Sequence, residues 1–275
     1  MKPLVLLLLS CLLIPDAIAR DMIIALDVGE GQAVLLKHHA EGILVDTGHP
    51  GMATHVLRRL NAHRVDTLAY IILTHLHGDH AGGYFRIREA FPEATILHSG
   101  QPRPEATSPD LVRWVYQALQ QDPRQKQVRA GDNLAWRGFD IRFLWPDRFL
   151  NHDLNRHSLV LEIRFGPVTA LIMGDAGKET ERMLLQEKAL KKVQLLMAGH
   201  HGAGDTGDEA FLRQVRPGIS VISVDRHNIR HYPAAETVRR LQAFSGQLLR
   251  TDLDGEVCFT LVPQFEYDPH CRNIP

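Results

Sequence analysis

An excess of charge of either sign is missing from this chain. Its 31 lysines and arginines almost cancel its 32 aspartates and glutamates, leaving a formal net charge of −1. That balance removes any bulk electrostatic case for coating a nucleic acid or an anionic membrane surface. Cysteine is scarce, with three in 275 residues, too few for a disulfide framework to stand in for a hydrophobic core. Beyond the first nineteen residues no apolar run is long enough to cross a bilayer. There is no low-complexity tract and no repeat of about 20–50 residues, which excludes solenoids and propellers. What remains is 44% hydrophobic and 23% charged, enough to bury the core of one large domain. The 16 histidines are more than a chain of this size usually carries, so metal ligands are worth seeking.

The first nineteen residues stand apart. Lys2 supplies a positive start, Leu4 to Ile14 is almost wholly apolar, and Pro15 ends the run before Ala17, Ile18 and Ala19. A short apolar stretch followed by a small-x-small step reads as a secretory leader cleaved before Arg20. Its length is short for a membrane span, which is the rival reading. Cys11 faintly suggests a lipoprotein signal, but the apolar run continues past it. The expected product is therefore periplasmic or secreted, with no stable span after cleavage. Cys258 and Cys271 then remain, either as a disulfide closing a short loop or as two unpaired thiols.

Hydrophobic periodicity predicts an alternation of strands and helices. Strands are expected at 22–28, 33–37, 42–45 and 67–73, with a helix over 52–63 and another over 80–91. A helix from Asp110 towards Gln121 follows a proline-containing loop. Strands at 139–144, 159–165 and 168–173 precede a helix over 177–188. Strands at 193–197 and 219–224 alternate with helices at 208–215 and 235–244, and strands near 248 and at 257–261 close the pattern. The residues after Pro263 show no pattern. The domain is accordingly placed at 20–263 with a tail at 264–275. One α/β unit with two sheets covered by helices is the simplest architecture.

The strongest signal is Thr74-His-Leu-His-Gly-Asp-His-Ala-Gly-Gly83, directly after an apolar strand. It offers His75, His77, Asp79 and His80 within six positions. A chain leaving a strand can splay alternate residues, so His75 and His77 can face one ion while Asp79 and His80 face another. Imidazole and carboxylate donors suit zinc, manganese or iron better than calcium or magnesium.

This motif resembles that of the metallo-β-lactamase superfamily, and within it the chain is similar to ComEC-like hydrolase domains of DNA-uptake proteins. Further matching pieces are Asp27-Val-Gly-Glu-Gly-Gln-Ala33, Leu44-Val-Asp-Thr-Gly48, Asn155-Arg-His-Ser158, Gly174-Asp-Ala176, Gly199-His-His-Gly202, Val221-Ile-Ser-Val224 and Arg250-Thr-Asp-Leu-Asp-Gly255. They span 22 to about 262. ComEC-like domains often drop one histidine of the first motif and commonly have none in the 155–158 segment. This chain carries the full first set and His157.

The resemblance implies an αββα sandwich, two sheets flanked by helices, with a two-metal site at one edge. It assigns Asp175 as the carboxylate shared by both ions and His201 as a ligand of the second. His200 is then left near substrate, although the order of these two histidines stays open. His157 would complete a three-histidine set on the first ion, or simply enter a strand. Asp46 would orient ligands through hydrogen bonds, and Asp27 would do the same or form a turn. His231 resembles a substrate-side histidine displaced by one position. The expected cofactors are two zinc ions, with manganese or iron as alternatives. A metal-bridged hydroxide would attack a phosphodiester, with Asp79 holding it in line and His200 or His231 serving the leaving group. A β-lactam or lactone is the alternative substrate, and a catalytically retired envelope-binding module the alternative class. Arg230 near the late motifs could meet phosphates. A small molecule or phosphodiester fits the site; a nucleic-acid polymer finds no support in net charge. Oligomeric state is not legible in the sequence.

Overall fold

A computed structural model describes residues 20–147 and 153–271; the expected leader at 1–19 lies outside them. Strands β1 (Met22–Ala25), β2 (Val34–His38), β3 (Glu41–Val45), β4 (Thr67–Leu73), β5 (Thr95–His98) and β6 (Gln125–Gln127) come from the first half of the chain. They are followed by β7 (Asn133–Trp136), β8 (Phe139–Trp145), β9 (Val160–Phe165), β10 (Val168–Ile172), β11 (Leu195–Met197), β12 (Ile219–Ile222), β13 (Gln247–Arg250), β14 (Val257–Thr260) and β15 (Glu266–Asp268). Two sheets result, ordered β15-β14-β1-β2-β3-β4-β5-β6 and β13-β12-β11-β10-β9-β8-β7. In the first, β3, β4, β5 and β6 run parallel. In the second, the parallel run is β10, β11, β12 and β13.

Adjacent residues in these strands serve opposite cores, because side chains alternate across a sheet. Ile23, Ile43 and Ile72 face the second sheet and meet Phe139, Phe143, Leu161 and Ile172 between the layers. Their neighbours Ile24, Leu44 and Ile71 face outward, where helices α1 (Ala53–Ala62), α3 (Tyr84–Ala90) and α4 (Asp110–Gln121) cover them with Val56, Leu60, Ile87 and Val115. The second sheet is covered in the same way by α5 (Lys178–Gln186), α6 (Glu209–Val215) and α7 (Ala235–Phe244). Strands buried on both faces explain the unbroken apolar runs of the sequence. This is the αββα sandwich expected from the sequence.

Two differences matter, and one open choice is settled. The helix expected over 80–91 is broken into a short Gly78–Ala81 turn, α2, and α3. A Cβ on Gly82 would lie 2.1 Å from the Gly78 carbonyl oxygen and 2.3 Å from Pro50 Cδ, so packing there admits no side chain. The tail is not patternless: β15 pairs antiparallel with β14, Cys258 opposite Asp268. Cys258 and Cys271 are joined in a disulfide with Cα atoms 6.1 Å apart, settling the pair of readings in favour of the bridge. Among the described residues no helix is long and apolar enough to cross a membrane.

Candidate metal centre

The polar loops gather where parallel strands end. β4 runs into Thr74–Gly83, β10 into Asp175, β11 into His200 and His201, and β12 into Ser223. Carboxyl ends of parallel strands open onto a crevice in such sheets. Here they bring donors from four loops to one buried point.

Two groups of donors converge, His75 with His80 and Asp175, and Asp79 with His80 and His201. All of these residues are buried. Asp175 stands between them. Its Oδ1 lies 2.9 Å from His80 Nε2 and 3.5 Å from His201 Nε2, while its Oδ2 lies 3.6 Å from His75 Nε2 and 3.9 Å from His200 Nε2. His77 Nδ1 is 3.0 Å from His75 Nε2, His80 Nε2 is 3.2 Å from His201 Nε2, and Asp79 Oδ2 is 3.5 Å from His201 Nε2. Pairs of imidazole nitrogens face each other at these distances, and the buried Asp175 Oδ1 finds only imidazole nitrogens around it, at 2.9 and 3.5 Å, in no well-aligned hydrogen bond. Facing lone pairs and an unmatched buried carboxylate oxygen are costly by themselves. A divalent cation resolves both, so the donor set fits the two-ion centre.

The outer nitrogens of these rings are fixed from behind, as metal-binding imidazoles require. His80 Nδ1 lies 2.8 Å from Asp46 Oδ2, and His201 Nδ1 lies 3.0 Å from the Ser223 carbonyl oxygen. His75 Nδ1 sits 3.2 Å from Thr74 Oγ1 and 3.3 Å from Ser158 Oγ. Asp46 also accepts from Gln32 Nε2, Thr74 N and Thr74 Oγ1, each at 2.8 Å. Gly31 lets the 29–31 turn press on this wall, since a Cβ there would fall 2.1 Å from the Asp79 carbonyl oxygen. His200 and His201 both adopt left-handed backbone, φ 48° and 52°. Two such residues in a row are uncommon outside glycine, and strain of this kind concentrates at functional sites.

Electrostatics follow burial and neighbours. Burial and the adjacent His80 hold His75 well below the usual histidine range, so its ring is neutral and can donate a lone pair. Burial also lowers His77. His80 is driven well above that range, because Asp175 and Asp46 outweigh its own burial. Burial would raise Asp175 and Asp79, but the surrounding histidines hold both carboxyls well below their ordinary value. His200 is raised despite burial by its contact with Asp205, 3.0 Å from Nδ1.

The structure therefore brings together His75, His77, Asp79, His80, Asp175 and His201, and it sets His200 beside Asp175. Two expected residues are not among these donors. His157 is buried but joins neither cluster; it lines a separate cavity of about 410 Å³ with Ser99, Gln127 and Arg129. From the same segment it is Asn155 that approaches, its Nδ2 3.3 Å from His200 Nε2. His231 is exposed, and its neighbour Tyr232 instead stacks edge-on against His200 with ring centroids 5.5 Å apart. Asp27, half-buried, accepts from Gly29 N, which favours its turn-forming alternative. Asn155, Asp205, Tyr232 and Ser158 were not singled out by sequence reasoning. Only the match of Asn155-Arg-His-Ser158 pointed towards that neighbourhood.

A family profile described as the metallo-beta-lactamase superfamily matches residues 26–227. The chain is similar to Recombination protein 2 of Haemophilus influenzae, 29% identical over 84% of this chain and 28% of that protein. It is also similar to Competence protein ComA of Neisseria gonorrhoeae, 30% identical over 86% of this chain and 31% of that protein. The chain thus spans about three tenths of the length of these relatives. Among solved structures, the metallo-beta-lactamase fold protein YhfI from Bacillus subtilis superimposes with a TM-score of 0.55 at 13% identity, covering 84% of this chain and 95% of that one.

Proposed function

The chain belongs to the metallo-β-lactamase superfamily, and from that premise we propose that it is an exported binuclear metal-dependent hydrolase acting on a phosphodiester. The observation that carries this reading is Asp175, a buried carboxylate facing two histidine groups with one oxygen each. His75, His77 and Asp175 would hold one ion, and Asp79, His80, His201 and Asp175 the other. Zinc suits this set first, with manganese or iron as alternatives. Bound there, the ions would supply an ionised water near neutral pH and offset negative charge on a phosphoryl oxygen.

The chain's own residues do the rest. Asp46 and the Ser223 carbonyl accept from the Nδ1 of His80 and His201, so that an ion displacing the Nε2 proton of His80 would find Nε2 of both rings available. Asp79, held well below the ordinary carboxylate range by the histidines around it, would orient the attacking water by accepting a hydrogen bond from it. The contact with Asp205 raises His200 and so favours its protonated form, and its Nε2 faces the cluster. From there it can give a proton to the departing oxygen. The Tyr232 ring fixes the plane of that imidazole.

The similarity to a recombination protein and a competence protein favours a nucleic-acid phosphodiester over a β-lactam or lactone. Elemental analysis of purified protein should find close to two transition-metal ions per chain. The loaded protein should then turn over bis(p-nitrophenyl) phosphate or single-stranded DNA in preference to a β-lactam or a lactone. Metal binding with turnover of the β-lactam or lactone alone would move the substrate class. No metal uptake would leave the binding-module alternative. Export predicts a chain outside the cytoplasm beginning at Arg20, which mass spectrometry reads directly.

A further inference from the structure

Arg230 reaches into this site from the loop after β12. Its Nη1 lies 3.2 Å from Asp79 Oδ2 and 3.1 Å from Glu30 Oε1. The side chain is 47% exposed whereas Asp79 beside it is 9% exposed, so the guanidinium stands at the mouth with its inner end on the cluster. Its loop is held rather than loose. Asn228 Nδ2 donates to the Asp225 and Tyr232 carbonyls, and Tyr232 N donates back to Asn228 Oδ1. Only Nη1 is engaged among the described residues. The edge formed by Nε and Nη2 is therefore left for a ligand.

A guanidinium presents two parallel N–H groups that match two oxygens of a phosphate or carboxylate. Lysine cannot present that fork. Resting on the hydrolase reading above, we propose that Arg230 is the residue that selects an anionic phosphodiester, gripping its two non-bridging oxygens at the mouth. The group whose Nη1 touches Asp79 is by the same contact within one residue's reach of the candidate ligands. A diester held by Nε and Nη2 is thereby placed next to them. A neutral ester or lactone offers no oxyanion for this fork and gains nothing from it. Glu30 shares Nη1 with Asp79 and keeps the guanidinium from turning outward into solvent.

The test uses metal-loaded protein, wild type beside Arg230→Gln and Arg230→Lys. Zinc content is read by elemental analysis, and affinity for dimethyl phosphate by calorimetry. Turnover is compared on bis(p-nitrophenyl) phosphate and on the neutral ester p-nitrophenyl acetate. Arg230→Gln is expected to weaken dimethyl phosphate binding tenfold or more. The ratio of kcat/KM on the diester to that on the neutral ester should fall at least tenfold, chiefly through KM. Arg230→Lys should recover part of the binding, because it keeps the charge and loses the fork. Unchanged dimethyl phosphate affinity in Arg230→Gln, or an equal loss on both substrates, overturns the assignment. A wild-type protein that takes up zinc but neither binds dimethyl phosphate nor cleaves the diester overturns the substrate reading beneath it. A wild-type protein without zinc uptake overturns the metal reading. Should Arg230→Gln fail to fold or load, Arg230→Lys carries the test, with a several-fold weaker affinity expected and wild-type affinity refuting it.

Discussion

Replacing Asp46 by asparagine separates the metal centre's wiring from its ligands, since Asp46 touches no expected ion site directly. Its φ of 61° is left-handed, a conformation asparagine tolerates and alanine does not, so the backbone should survive. The carboxylate accepts four hydrogen bonds: Thr74 N on Oδ1, and Gln32 Nε2, Thr74 Oγ1 and His80 Nδ1 on Oδ2. In Asp46→Asn, a carbonyl can keep Thr74 N, but an NH2 then confronts three donors. The threonine hydroxyl can rotate and the Gln32 amide can flip, each restoring a bond. His80 can do so only by giving up its Nδ1 proton and keeping the one on Nε2. That nitrogen faces Asp175 and His201, so the repair closes the very lone pair that the second group needs. The net loss of stability should be about 1–3 kcal/mol, one hydrogen bond to a charged acceptor left imperfect. The loss of metal affinity should be about 10–100-fold, the usual effect of removing a ligand's orienting partner. Urea denaturation of apo-protein reads the first, and zinc titration against a competing chelator reads the second. Wild-type zinc affinity alongside the stability loss would refute the tautomer argument.

Other expectations follow from the same geometry. Asp175→Ala should lower metal occupancy at both groups rather than one, measured by elemental analysis, because its two oxygens face different histidines. His231→Ala should leave metal content at the wild-type value, since His231 joins neither donor group, and lower turnover only. His200→Ala should cut turnover by roughly 10²–10⁴-fold, as expected for loss of a general acid. Cys271→Ser opens a disulfide with a sequence separation of 13 and should lower stability by about 3 kcal/mol in the chain-entropy model. Metal content, read in parallel with non-reducing denaturation, should not change. Burial pushes the Glu181 carboxyl up to about 7 despite hydrogen bonds from Thr206 Oγ1, Gly207 N and Asp208 N. Protonation is therefore favoured in the folded state. Its contribution to stability is full below the unfolded value of 4.5 and is lost as pH rises through about 7. Denaturation midpoints taken across that window should fall in the wild type and lose this component in Glu181→Gln.

The sequence by itself determined the features that depend on neighbours along the chain. The αββα architecture follows from apolar runs that alternate between two cores, as Ile23 and Ile24 do. The cluster of His75, His77, Asp79 and His80 is legible because one strand end carries all four donors within six positions. Strands β5, β6, β7 and β15 were not legible: the last three lie at sheet edges with exposed or half-exposed residues, and β5, though buried, is only four residues long and too short to establish a period. The break between α2 and α3 falls at Gly82-Gly83, where two adjacent glycines already loosen the first turn of the expected helix, and only the structure shows that Pro50 and the Gly78 carbonyl admit no side chain at Gly82. Tertiary structure also decided which member of a matched segment reaches the site. Asn155 approaches where His157 turns to another cavity, and Tyr232 stands by His200 where His231 points to solvent. Arg230 meets Asp79 across 151 positions of sequence, and His201 meets His80 across 121. Such pairs exist because parallel strands release their loops at one edge, and no local spacing encodes which side chains meet there.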